Sequence, residues 1–252
     1  MKAYLAALAA VTMAASHPAH AQQAGPPVGA VGNVAPGLSH YTEQVVEGDL
    51  WRRPDLSPRD RSVVTISALI AAGQTAALTA ELNRALDHGV TPSEISAILT
   101  HLAFYAGWPQ ALSAVAVAKP NFAARGINAD QLAEASSERL PVDEAADRQR
   151  AVGVENAYGA VSPSIVRYTN EVLFNDVWRR PDLTPRDRSL VTISALIAGG
   201  HAEQLPFHLR RGMQNGVTRP QIAETITQLA FYAGWPSALS AVPVARNAFE
   251  ER

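Results

Sequence analysis

The sequence predicts an all-α protein made of two pseudo-symmetric copies of one helical unit. Three observations carry that expectation. Sliding the chain against itself by about 127 positions aligns Tyr41–Lys119 with Tyr168–Arg246 without a gap, at roughly 60% identity. Helix-start signals recur at matching places in both copies. No alternating apolar runs bounded by hairpin turns occur, so strand signals are poor. The period is too long for a solenoid, which favours two globular halves packed against each other.

In chain order, Lys2, the apolar run "YLAALAAVTMAA" and the small residues Ala19–Ala21 read as a signal peptide cleaved after Ala21. The chain is therefore expected in the periplasm or secreted, and free of the membrane after cleavage, because the apolar run is short for a span of roughly 20 residues. A flexible Gly/Pro-rich leader is assigned to residues 22–33. The first repeat follows at 34–119, a partly helical linker at 120–159 and the second repeat at 160–252. Within the repeats, "SPRD" from Ser57 and "TPRD" from Thr184 place a hydroxyl cap, a first-turn proline and an acid ahead of an apolar run. Leu78, Leu82, Ala85 and Leu86 keep helical spacing, as do Leu205, Leu209, Gly212 and Met213. Gly89 and Gly216 read as helix stops, and Thr91–Glu94 and Thr218–Gln221 as capping boxes. A tight break at "AGWP" then precedes the last helix of each half. In the linker, "ADQLAEA" and "VDEAADRQRAV" are good helix formers.

Composition narrows the chemistry. With 47% hydrophobic residues, 17% charged and a net charge of −2, the chain reads as soluble and globular, with no electrostatic case for nucleic acid or an anionic membrane. Cysteine is absent, which removes both a disulfide framework and thiol chemistry. The histidines are dispersed without a ligand spacing such as HExxH, so no metal is expected. Neither a phosphate loop nor a GxSxG elbow is present.

The order "SPRDRS", apolar helix, "ELNRALDHGVTPSEI", "HLAFYAGWP" resembles the carboxymuconolactone decarboxylase family. In the second half, "FHLRRGMQNGVTRPQIAETITQLAFYAGWPSAL" matches its helix–glycine–helix core more closely. The resemblance implies the all-helical AhpD-like fold, here in tandem. It also implies chemistry without a cofactor. Thiol-dependent peroxidases of that fold use a Cys-x-x-Cys pair ahead of a helix histidine. The corresponding stretches "GQTAALTAEL" and "GHAEQLPFHL" contain no sulfur, which excludes that activity.

His208 falls at the family's helix histidine, on the edge of an apolar stripe beside the small Gly212. An imidazole there suits general acid–base work, although a core histidine bonded to a helix carbonyl fits the same pattern. Its counterpart in the first half is Glu81, with Arg84 three residues on. The packing strings agree between halves while ionisable positions diverge: His101 against Gln228, Ala97 against Glu224, Gln74 against His201. Arg61 and Arg188 are candidates to grip a substrate carboxylate, while Asp60 and Asp187 read as caps paired with neighbouring arginines. Trp51 and Trp178 are expected in the core or between the halves, with Arg52, Arg53, Arg179 and Arg180 solvated. Tyr105, Tyr232, Trp108 and Trp235 offer polar handles on apolar bodies.

The expected catalytic set is His208, Glu224, Arg188 and Tyr232. Trp235, Glu81, Arg61, His101 and Tyr105 are expected to bind substrate. The resemblance implies a lyase, or a related proton-transfer enzyme, acting on a small unsaturated lactone or carboxylic acid. Loss of carbon dioxide leaves a dienolate that needs an oxyanion donor, Tyr232 or Arg188, and a proton on carbon from His208 tuned by Glu224. The alternative is a non-catalytic module that binds a small acid or forms oligomers. In either case a homo-oligomer is expected, a trimer of tandem halves.

Overall fold

A computed structural model describes residues 31–135 and 138–250. The predicted signal peptide and most of the leader lie outside the described residues. Among the described residues the chain is helical and contains no strand. In the first half, a short helix α1 (Pro36–Tyr41) runs into a π-helical turn, and four longer helices follow: α2 (Pro58–Ala71), α3 (Thr75–Asp87), α4 (Pro92–Tyr105) and α5 (Trp108–Ala124). The linker holds α6 (Glu144–Tyr158). The second half repeats the order with α7 (Pro163–Tyr168), α8 (Pro185–Ala198), α9 (Leu205–Gln214), α10 (Arg219–Tyr232) and α11 (Trp235–Glu250).

Local chemistry accounts for the boundaries. Ser57 and Thr184 accept hydrogen bonds from the backbone N–H of Asp60 (3.0 Å) and Asp187 (3.1 Å), which caps α2 and α8. Reciprocal capping boxes, Thr91 with Glu94 and Thr218 with Gln221, start α4 and α10. At the "AGWP" break, Gly107 and Gly234 take φ of 92° and 91°, a conformation that strains any residue with a Cβ. The chain thereby turns sharply enough for α5 to fold back on α4, and α11 on α10.

The two halves share one core rather than abutting. Helices α2 and α8 are buried on nearly every face and pack along each other at the centre. Helix α4 of the first half packs on α8 of the second, and α10 packs on α2. Their N-termini exchange ion pairs: Arg59 reaches Asp187 at 2.9 Å and Arg186 reaches Asp60 at 2.6 Å. The caps are Ser57 and Thr184 rather than Asp60 and Asp187. The two carboxylates pair with the neighbouring arginines as expected, Arg59–Asp60 at 3.4 Å and Arg186–Asp187 at 2.8 Å, and also with the arginine of the opposite half. The contact is isologous, so the backbone pairing and the Arg59 and Arg186 ion pairs have pseudo-symmetric twins.

The linker differs from expectation in two places. Helix α5 continues through Pro120 to Ala124, because the ring costs one intrahelical bond while Asn121 and Phe122 are held in the core. The "ADQLAEA" stretch forms only a 3-10 turn, Ala129–Gln131, whereas "EAADRQRAV" lies in α6 behind an Asp143 cap.

Candidate active site

Crossing of the halves builds two composite sites, each taking side chains from both copies. In the first, the Trp51 indole N–H donates to the Tyr232 hydroxyl at 2.9 Å. Arg61 is fully buried and donates to Glu224 (2.7 Å), Gln228 (3.0 Å) and the Arg53 carbonyl (2.7 Å). Gln228 in turn donates to Thr65 at 3.1 Å, and Arg53 clamps Glu224 through two bonds of 2.8 and 3.1 Å. Beside this network Arg84 lies over the Trp51 ring, 4.4 Å from its centroid.

The second site is the twin with substitutions. Trp178 donates to the Tyr105 hydroxyl at 2.8 Å. Arg188 donates to Asp182 (2.9 Å) and to the Arg180 carbonyl (2.7 Å). His101 replaces Gln228, with Nε2 2.8 Å from the Thr192 hydroxyl and Nδ1 3.4 Å from an Arg188 nitrogen. The Thr192 proton is committed to the Arg188 carbonyl at 2.8 Å, so the imidazole must donate through Nε2 and turn its Nδ1 lone pair to Arg188. That tautomer is neutral. Burial, then the charge of Arg188, holds His101 well below the usual histidine range. Glutamine in the first site reproduces the same donor and acceptor without a titratable proton.

His208 projects from α9 into the second site. Its ring stacks on Trp178 (centroids 5.8 Å, 17°) and meets Tyr105 (5.3 Å) and Phe207 (5.0 Å) edge-on. Burial first, and the nearby Arg211 second, push its pKa down to about 3, so the imidazole is neutral at physiological pH. Its Nδ1 is buried without a hydrogen-bond partner. Tyr105 is raised by burial, against the Trp178 hydrogen bond, and keeps its proton. Trp178, Phe207 and Arg211 also line a groove of about 740 Å³ between α9 and the linker, so the cluster borders open space.

The profile of the carboxymuconolactone decarboxylase family matches residues 36–120 and again 163–247. The chain belongs to that family. Among similar proteins, the 4-carboxymuconolactone decarboxylase of Acinetobacter baylyi is 37% identical over 84 residues, which is 33% of this chain and 63% of the relative. Nitrosuccinic acid decarboxylase npaB of Metarhizium robertsii is 32% identical over 102 residues, 39% of this chain and 71% of the relative. A 15.0 kDa protein of Paracoccus denitrificans is 33% identical over 91 residues, covering 35% and 68%.

In this tandem member of the family the expected catalytic set is divided. His208 and Arg188 border the second site, whereas Glu224 and Tyr232 belong to the first. Glu224 is therefore no tuning partner for His208. It is the counter-ion of two arginines: burial opposes its ionisation, but the hydrogen bonds from Arg53 and Arg61 outweigh that and hold it below the usual carboxylate range. In the second site Asp182 supplies that charge from another backbone position. Arg61 and Arg188 are spent on these internal partners rather than left open to a ligand. Glu81 sits in the first site, its Oε2 3.6 Å from Arg84, and burial raises its pKa. His101 and Tyr105, although first-half residues, complete the second site.

Trp235 lies outside both sites. It is 53% exposed at the start of α11 and packs edge-on against Phe231 at 5.0 Å. The small residue expected to leave room beside His208 leaves none, because a Cβ on Gly212 would come within 2.9 Å of Ile193 Cδ1. Of the arginines expected in solvent, Arg180 is buried, bonded to Asp182 and to the Ala135 and Glu134 carbonyls. Sequence reasoning also missed Asp182, Thr192, Phe174, Arg211 and Arg150. Thr192 is one of three hydroxyl residues, with Ser189 and Ser194, in the apolar run of α8, and nothing in the sequence sets it apart. The exchange of Glu47 for Phe174 was visible in the alignment of the two repeats.

Proposed function

We propose that the protein is a cofactor-free carboxy-lyase, or a related proton-transfer enzyme, that works on a small unsaturated acid or lactone acid at the second composite site. The observation that carries this reading is a buried neutral His208, its Nδ1 unpartnered, held between Tyr105 and Trp178 and behind Trp178 and Phe207, which line an open groove. Two of the similar proteins are named for decarboxylating a small acid, which supports the reaction class. Loss of carbon dioxide transfers the bonding pair to the remaining carbon and on to a conjugated oxygen. A neutral imidazole donates a hydrogen bond to that oxygen at little cost. Tyr105, protonated and already accepting from Trp178, is the acid that returns a proton to carbon. The expected parts are thereby exchanged: the imidazole serves the oxygen and a tyrosine serves the carbon, and the tyrosinate then regains its proton from solvent.

The test is carbon dioxide release from 4-carboxymuconolactone and from a panel of small unsaturated acids. His208→Ala and Tyr105→Phe should each cost roughly a hundredfold or more in kcat with helical content unchanged. Full turnover in both variants would refute the assignment. Saturable binding with no turnover of any acid would favour the non-catalytic module.

We also propose, from the amino-terminal sequence alone, that the mature chain is periplasmic or secreted after cleavage at Ala21. Copies are further proposed to associate, as a trimer, through the apolar rows that pseudo-symmetry repeats on the surface: Trp108, Leu112 and Val115, with Trp235, Leu239 and Val242.

A further inference from the structure

Arg84 and Arg211 are pseudo-symmetric twins in the same pose, with guanidinium carbons 4.4 Å from the Trp51 centroid and 4.5 Å from that of Trp178. Their charges meet different surroundings. Glu47 grips Arg84 through two bonds of 2.8 and 3.2 Å, and Glu81 stands 3.6 Å away. The residues at those two positions in the second half are Phe174 and His208. Arg211 consequently pairs with no carboxylate among the described residues, and its Nε is buried without a hydrogen-bond partner. A half-buried guanidinium with no carboxylate in ion-pair contact is costly: burial lowers its pKa, and the more distant charge of Asp147 offsets that only in part.

A second guanidinium comes from the linker. Arg150 of α6 lies over Phe174, 4.1 Å from the centroid, with Arg211 at 5.2 Å from the same ring. Its side chain is only 6% exposed, and Asp147 and Asn170 each take one bond of 2.8 Å. Its Nη2 is still buried and unpartnered. Both arginines line the groove of about 740 Å³, together with Trp178 and Phe207, whose rings pack against His208. Arg150 lies outside both stretches that match the family, so it is a feature of the tandem linker.

We propose that this groove binds the carboxylate of a small organic anion, which takes on Arg211 the place that Glu47 takes on Arg84 and receives a further bond from Arg150 Nη2. The body of the ligand lies against Trp178 and Phe207, toward His208. The first half is occupied by its own carboxylate, so the chain binds one anion rather than two. This deepens the assignment of the second site as the working one, because it states how a substrate acid is held there.

The test is calorimetric titration of the full chain with the unreactive probes succinate and benzoate, with inorganic phosphate as a third arm. Wild-type protein should bind one carboxylate probe per chain at roughly millimolar or tighter affinity. Arg211→Gln and Arg150→Gln should each weaken binding roughly tenfold or more, the loss expected for a charge-assisted bond. Phe174→Glu, which restores the internal carboxylate, should abolish binding in a folded protein. No saturable binding in the wild type, two equivalents in the wild type, or unchanged binding in Arg211→Gln and Phe174→Glu would overturn the proposal. Phosphate binding as tightly as succinate would overturn the carboxylate assignment. Probe binding without turnover of any acid would sink the enzymatic reading alone, whereas turnover that survives loss of probe binding would sink this one alone.

Discussion

Acid should destabilise this protein through His208, and the size of the effect follows from its surroundings. The imidazole is 8% exposed and its pKa falls from 6.5 to about 3 in the folded chain. Between those values the unfolded chain binds a proton that the folded chain refuses, so stability falls as pH drops through the window and is flat above it. Moving from about pH 7.5 to about pH 5 crosses about 1.5 pH units below the unfolded value, at about 1.4 kcal/mol each, or about 2 kcal/mol. His208→Phe keeps the aromatic wall between Tyr105 and Trp178 while removing the proton. His101 titrates in the same direction but is present in both proteins, so its contribution cancels in the difference. Urea unfolding followed by circular dichroism at several pH values should show the variant losing about 2 kcal/mol less than wild type over that interval. Parallel stability curves would mean that His208 is hydrated or partnered in solution, and the argument for a neutral imidazole at the site would fail.

Other expectations follow from the same contacts. Glu224→Ala leaves the fully buried Arg61 without its carboxylate and should cost about 3–5 kcal/mol in urea unfolding, as expected for a broken buried pair. His101→Gln copies Gln228 at the twin position and should cost about 1 kcal/mol or less, whereas His101→Ala strands Arg188 and Thr192 and should cost about 2–3 kcal/mol. Leu112→Glu with Leu239→Glu puts charge on both exposed apolar rows and should lower the mass seen by light scattering without changing helical content. Amino-terminal sequencing of protein from the periplasm should read Gln22 first.

The helical scaffold was legible because each boundary is set within a few residues of itself. Ser57, Thr184, Thr91 and Thr218 cap through bonds to residues three positions on, so their signals survive any tertiary arrangement. The membership of each site was not legible, since it depends on which half supplies α4 or α10 to which central helix. Glu224 and His208 lie on adjacent helices of one repeat, which in sequence puts them within reach of each other. Crossing of the halves sends Glu224 to Arg61 instead, 163 positions away. Arg150 was hidden for a different reason. One arginine in a charged linker helix has no pattern, and only its Nη2, buried without a partner, marks it.

The crossing also changes what divergence between the repeats means. A single repeat owns neither site: Trp178, Arg188 and His208 of the second half face His101 and Tyr105 of the first. A substitution at 101 therefore acts on the chemistry of the opposite copy, and asking which repeat is active has no structural counterpart. Where the copies differ, the buried arginines show how charge balance was kept. Arg61 is neutralised from α10 by Glu224, and Arg188 from its own half by Asp182, so each fully buried guanidinium has one carboxylate. Arg84 follows the same rule through Glu47. Arg211 alone of these four breaks it, with aromatic rings where its twin has acids, and it does so in the wall of the groove. On the proposal above, an incoming acid would supply the carboxylate that Arg211 lacks at ion-pair distance, in the place Glu47 fills for Arg84.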